Sequence, residues 1–130
     1  MQIKKTIPGV IFTGTGKGKY FMSQQGYKKQ FEKALGFIPF EGTLNIKVSI
    51  EDAENLLKNK ESITIKGFKS LENDFGGLKC YKIKIKNIKA AIIIPDRTHY
   101  HKETLELISK ENIRERLGLK DGDIISIGCD

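Results

Sequence analysis

Apolar and polar residues alternate along several short stretches of the chain: Ile63-Thr64-Ile65, Tyr81 to Ile85, Ile88 to Ile94, Leu105-Glu106-Leu107 and Ile124 to Ile127. A side-chain period of two predicts strands, and stiff, β-branched isoleucine dominates these. Helical spacing appears at Tyr27 to Leu35, where Phe31 and Leu35 share a face and Gly36 supplies a stop. It returns at Glu51 to Leu57 and at Glu111 to Leu117. Many short strands with small helices at their corners predict a mainly β, β-rich α+β barrel rather than a doubly wound parallel sheet.

The pattern contains an internal echo. Ile46 to Leu57 reads as strand, serine, acidic first turn and leucine-ended helix, and Leu105 to Leu117 repeats that order, with Ser49, Glu51 and Leu57 matched by Ser109, Glu111 and Leu117. Each serine is expected to cap its helix and each acid to complement the positive helix end. Any strand-to-helix junction shares this grammar, so a pseudo-repeat and a coincidence both stand. The alignment matches Asn45 with Leu105 and Ile46 with Glu106, so the halves differ in chemistry even if they share a fold.

Length and charge narrow the class. A chain of 130 residues is read as one domain, 1–130, able to bury a core without covalent staples. The longest apolar run, Ala90 to Ile94, is strand-sized, far below the ~20 residues needed to cross a bilayer. Lys4 and Lys5 are followed by Thr6, Pro8 and Gly9 rather than a continuous apolar segment, so no secretory signal and no membrane partner are expected, and the cytoplasm is. Cys80 and Cys129 lack C-x-x-C spacing and read as free thiols. The net charge of +7 admits an anionic partner, whether nucleic acid, nucleotide or phosphorylated metabolite. It also fits a solvated lysine surface, because only Arg97, Arg114 and Arg116 are arginines and base readout favours arginine.

Two segments suggest chemistry. After Val10-Ile11-Phe12 comes Thr13-Gly14-Thr15-Gly16-Lys17-Gly18-Lys19-Tyr20, with glycines on alternate positions and lysines beside them. Glycine lets backbone N–H groups turn toward one point, and lysine adds charge where phosphate oxygens lie. The spacing is neither a Walker A loop nor a dinucleotide fingerprint, and a glycine-rich hairpin turn looks similar. Further on, Thr43-Leu44-Asn45 opens an extended stretch to Val48. On a strand the Thr43 hydroxyl and the Asn45 amide oxygen share one face, about 7 Å apart along the chain, an arrangement open to an ion such as Mg²⁺ or to a plain polar strand face. His99 and His101 also share a strand spacing, but no cysteine or carboxylate lies near them, so they read as surface or substrate-loop residues.

Together, the run Gly26-Tyr27 through Gln30-Phe31, Leu35-Gly36-Phe37, Pro39-Phe40 and Gly42-Thr43-Leu44-Asn45, then Arg97-Thr98, Tyr100-His101 and Leu117 to Asp123, resembles the archaeal CTP-dependent riboflavin kinases. That family usually carries proline where this chain has Glu41, a departure that leaves Thr43 and Asn45 in place. The resemblance implies a six-stranded cradle-loop barrel related to AbrB-type transcription factors. It implies a monomeric flavoprotein enzyme that phosphorylates riboflavin to FMN, uses CTP with Mg²⁺, releases CDP and binds no nucleic acid.

Carried onto this sequence, Thr15, Gly16, Lys17, Gly18, Lys19 and Tyr20 wrap the nucleotide, and Lys17 and Lys19 face the transition-state charge. Thr43 and Asn45 hold the metal, Thr98 contacts the flavin, and Glu111, Asn112, Ile113 and Arg114 contact the cytosine. Glu106 alternates with Leu105 and Leu107, faces away from whatever they pack on, and is the candidate catalytic carboxylate and flavin contact; a salt bridge on a solvated face is the plain alternative. Two other readings remain: an AbrB-like nucleic-acid-binding barrel, favoured by the charge and by Leu117 to Asp123, and a nucleotide sensor without turnover, which has no need of Thr43 and Asn45.

Overall fold

Four of the period-two segments lie in strands of a closed barrel in the structure, a computed structural model that describes residues 6–58, 60–71, 73–96 and 103–129. In chain order the elements are β1 (Thr6–Phe12), α1 (Lys17–Met22), α2 (Gln25–Leu35), β2 (Leu44–Lys47), α3 (Ile50–Leu57), β3 (Ile63–Ile65), β4 (Phe68–Ser70), β5 (Asn73–Phe75), β6 (Leu78–Ile85), β7 (Ile88–Pro95), β8 (Thr104–Ser109), α4 (Ile113–Leu117) and β9 (Ile124–Cys129). Strands β6-β7-β8-β2-β1-β9 pair antiparallel in that order, and β9 returns to β6 to close six strands. Strand β3 adds to the Leu78–Cys80 end of β6, while β4 and β5 form a separate hairpin. The segment Arg97, Thr98, His99, Tyr100 and His101, and the side chain of Cys129, lie outside the described residues.

Alternation sorts each strand between two cores. Inside the barrel pack Ile11, Leu44, Ile46, Ile83, Ile85, Ala90, Ile92, Leu105, Leu107 and Ile127. The opposite parity of β6, β7 and β8, namely Leu78, Cys80, Ala91, Ile93 and Ile108, faces outward and is covered by Tyr27, Phe31 and Leu35 of α2 with Phe75 of the hairpin. The run Ala90 to Ile93 is apolar throughout because β7 is buried on both faces. Tyr27, Phe31 and Leu35 recur every fourth residue, the spacing of one helix face, and the Gly36 N–H closes α2 on the Glu32 carbonyl at 2.9 Å in a left-handed cap. Among the described residues, no helix is long and apolar enough to cross a membrane.

Three features depart from the sequence reading. Lys17 to Met22 is helical, so the glycine segment ends in α1 instead of running as loop to Lys19. Buried Met22 anchors this turn, and Ser23 Oγ donates to the Tyr20 carbonyl at 2.6 Å. Ser49 does cap α3, accepting from the Asp52 N–H at 3.0 Å, but Ser109 does not cap α4. It remains inside β8, buried and donating to the Lys89 carbonyl at 2.9 Å, and Asn112 accepts from the Glu115 N–H in its place. Glu111 therefore precedes α4 and pairs with Arg116 at 3.2 Å. The β4–β5 hairpin has no period-two signal and forms by stacking Phe68 on Phe75, ring centroids 5.0 Å apart, against Tyr27.

Two stability measurements follow. Ser49→Ala leaves the Asp52 N–H without its side-chain acceptor and should cost about 1 kcal/mol in urea unfolding. Cys80 is a free, fully buried thiol whose pKa burial pushes up from 9.0 to about 11. The folded protein then keeps a proton that the unfolded chain loses, so this contribution is fully present below pH 9.0 and is lost as pH rises toward about 11. The urea midpoint should fall over that window, and Cys80→Ala should flatten the fall.

Candidate active site

The outer face of β8, β2 and β1 escapes the α2 layer, and on it β2 and β8 carry Asn45 and Glu106 beside Phe12 of β1. Strand register sets them in one row: Phe12 opposite Asn45, Asn45 opposite Glu106, and Glu106 opposite Ile93. Directly opposed residues of an antiparallel ladder project to the same side, with Cβ atoms about 4.5–5.5 Å apart, so the Asn45 amide and the Glu106 carboxylate are neighbours. Leu105 and Leu107 point into the barrel and Glu106 away from it, as the alternation predicts.

The glycine segment lies directly over this row. A β-carbon at Gly14 would sit 2.6 Å from Asn45 Nδ2 and 3.0 Å from its Cγ, and one at Gly18 would overlap the Thr43 hydroxyl. Between them Gly16 has φ +83, a left-handed conformation that starts α1 and that side chains adopt only with strain. The alternate glycines thus perform different tasks: the outer two allow close approach and the middle one turns the chain.

Beneath the segment lies a cleft of about 730 Å³, within the range of small-molecule sites. It gathers Thr15, Gly16, Lys17, Gly18, Lys19, Thr43, Asn45, Glu106 and Arg114, with apolar walls from Phe12, Phe21, Ile93 and Pro95. A second pocket of about 190 Å³, lined by Phe40, Glu111, Asn112 and Ile113 among others, shares Gly42, Thr43 and Arg114 with the first. Tyr20 is not brought in. It is 55 % exposed and tilts toward Phe75, centroids 6.1 Å apart, on the hairpin side of α1. Thr98 lies outside the described residues. Among the described residues, no hydrogen bond or ion pair engages the side chains of Thr43, Asn45 or Glu106.

The structure adds a junction that periodicity does not reveal. Thr13 Oγ1 donates to both Asp121 carboxylate oxygens at 2.9 and 2.8 Å, and the Arg114 guanidinium meets the same carboxylate at 2.8 Å. Arg114 also reaches the Phe12 carbonyl at 3.4 Å. The Thr13 hydroxyl, and then Arg114, hold the Asp121 carboxyl below its usual range, so it is ionised at neutral pH. Glu41 forms an ion pair with Lys28 of α2.

With this geometry in place, comparison with known proteins is decisive for the family. Residues 11–129 match the family model CTP-dep_RFKase, described as Domain of unknown function DUF120. The chain belongs to that family. Individual relatives agree. A protein named riboflavin kinase from Archaeoglobus fulgidus is 44% identical over 123 residues, covering 93% of this chain and 53% of its own length. Riboflavin kinases of Methanosarcina acetivorans and Picrophilus torridus are each 43% identical over 121 residues, covering 92% of this chain and 51% and 54% of their own. The chain spans about half the length of these relatives. The family match includes every element of the cleft from Ile11 onward.

The close approach of Gly14 to Asn45 gives a direct check. Gly14→Ala should displace the Asn45 side chain, read as a shift of its side-chain NH₂ resonances in ¹⁵N-resolved NMR, and unshifted resonances would contradict the contact.

Proposed function

We propose that this chain phosphorylates riboflavin to FMN, taking the terminal phosphoryl group of CTP and releasing CDP, with Mg²⁺ held at Thr43 and Asn45. The carrying observation is the register that sets Asn45 directly opposite Glu106 beneath the glycine segment, with Thr43 two residues away. This places unpartnered amide, hydroxyl and carboxylate oxygens at one cleft. The named activity of the relatives and the family's CTP-dependent label supply the substrate and the donor.

The residues fit the metal. Thr43 and Asn45 offer it only two neutral oxygens, a hydroxyl and an amide, that no protein group engages among the described residues. Mg²⁺ tolerates that, since it takes most of its ligands from water and phosphate. When bound, it supplies charge neutralisation at the phosphates.

The chain's own groups do the rest. Glu106 orients the ribityl 5′-hydroxyl and accepts its proton as that oxygen bonds to the terminal phosphorus and the bond to CDP breaks. Lys17 and Lys19, both exposed at the cleft rim, counter the charge on the transferring oxygens. Phe12, Phe21, Ile93 and Pro95 offer the flat flavin an apolar wall, and the smaller pocket beyond Arg114 is of a size to take a single-ring base. The glycine segment lies over Asn45 and Thr43 and forms one wall of the cleft.

Incubation with riboflavin, Mg²⁺ and each of CTP, ATP, GTP and UTP should give FMN with CTP; no product with any donor would overturn the proposal. Glu106→Gln should lower kcat by about 10²- to 10⁴-fold. Asn45→Ala should raise the Mg²⁺ concentration needed for the half-maximal rate, with the circular dichroism spectrum unchanged.

A further inference from the structure

Asp121 itself has no role above, yet it joins Thr13, Arg114 and the end of β1. Asp121 sits on a turn fastened to the end of β1: the Ile11 N–H donates to the Asp123 carbonyl at 2.9 Å and the Gly122 N–H to the Ile11 carbonyl at 2.8 Å. Asp123 closes the same turn by accepting from the Lys120 N–H at 2.8 Å. A carboxylate on so restrained a turn is a fixed anchor. It meets Thr13, the residue immediately before Gly14, and Arg114, which lines both the large cleft and the smaller pocket.

We propose that Asp121 is a positioning residue for the nucleotide, holding the Arg114 guanidinium at the wall between the two pockets. This rests on the reading of the cleft as a nucleotide site. Arg114 is a long side chain, 35 % exposed, and without an anchor it samples several rotamers in water. A planar guanidinium held by one carboxylate presents its remaining N–H groups in a fixed direction, which suits a phosphate or the acceptor edge of a base. The ion pair itself adds little to stability, since both partners are partly exposed, so its effect is expected in ligand affinity rather than in folding.

The test is calorimetric titration of CTP with Mg²⁺ and without riboflavin, so that no turnover is needed, on wild type, Asp121→Asn, Arg114→Gln and the double variant. Asp121→Asn should weaken CTP about tenfold, the loss of one well-aimed charge-assisted hydrogen bond, with riboflavin affinity and melting temperature nearly unchanged. In the Arg114→Gln background the same substitution should have little further effect, because Asp121 acts through Arg114. Wild-type affinity in Asp121→Asn overturns the inference. So does an equal loss in both backgrounds, or a parallel loss of riboflavin binding. CTP binding by a wild type that forms no FMN sinks the kinase reading alone, whereas a wild type that binds no CTP removes both.

Discussion

The cleft exists because two positions over the barrel have no β-carbon. Gly14 and Gly18 approach Asn45 and Thr43 so closely that any side chain there would collide with the amide or the hydroxyl. The backbone of the glycine segment can therefore lie directly over the polar side chains of Thr43 and Asn45. Two lysines, an arginine and the unpartnered oxygens of Thr43, Asn45 and Glu106 are drawn to one volume as a result.

That arrangement depends on how the barrel divides its labour. One side of each strand fills the interior, and the outward side is split in two. Across β6, β7 and part of β8 it is apolar and sealed by α2 and the aromatic hairpin, while across the rest of β8, β2 and β1 it is open and carries Glu106 and Asn45. The sealed half gives the rigidity of a packed core, and the open half inherits it through continuous strand pairing. Glu106 shows the division within one strand, since Leu105 and Leu107 fix its direction by burying themselves on the other side. Ile108, on the same side as Glu106 and two residues on, is already under the helix layer.

Much of this was legible in the sequence, because period and spacing are local. Strands β3, β6, β7, β8 and β9, the orientation of Glu106 and the stop at Gly36 follow from alternation and cap chemistry. What was not legible arises from contacts distant in sequence. Lys17 to Met22 includes a glycine and has poor helix propensity, yet one turn forms because Met22 is buried. The strands of the β4–β5 hairpin, with Lys69, Asn73 and Asp74 exposed on them, are held by aromatic packing. Ser109 looks like a cap, but the strand continues through it and buries its hydroxyl. The Thr13–Asp121 contact spans 108 positions and has no periodic signature, although both partners flank segments that the sequence singles out.

The central claim, that Thr43 and Asn45 hold the metal of a nucleotide bound beneath the glycine segment, is tested most directly by crystals grown with CDP and Mn²⁺ in place of Mg²⁺. The account predicts an anomalous peak bonded to the Thr43 hydroxyl oxygen and the Asn45 amide oxygen, with the diphosphate under Gly14 to Lys19. A nucleotide in the cleft with its metal away from both side chains would contradict it.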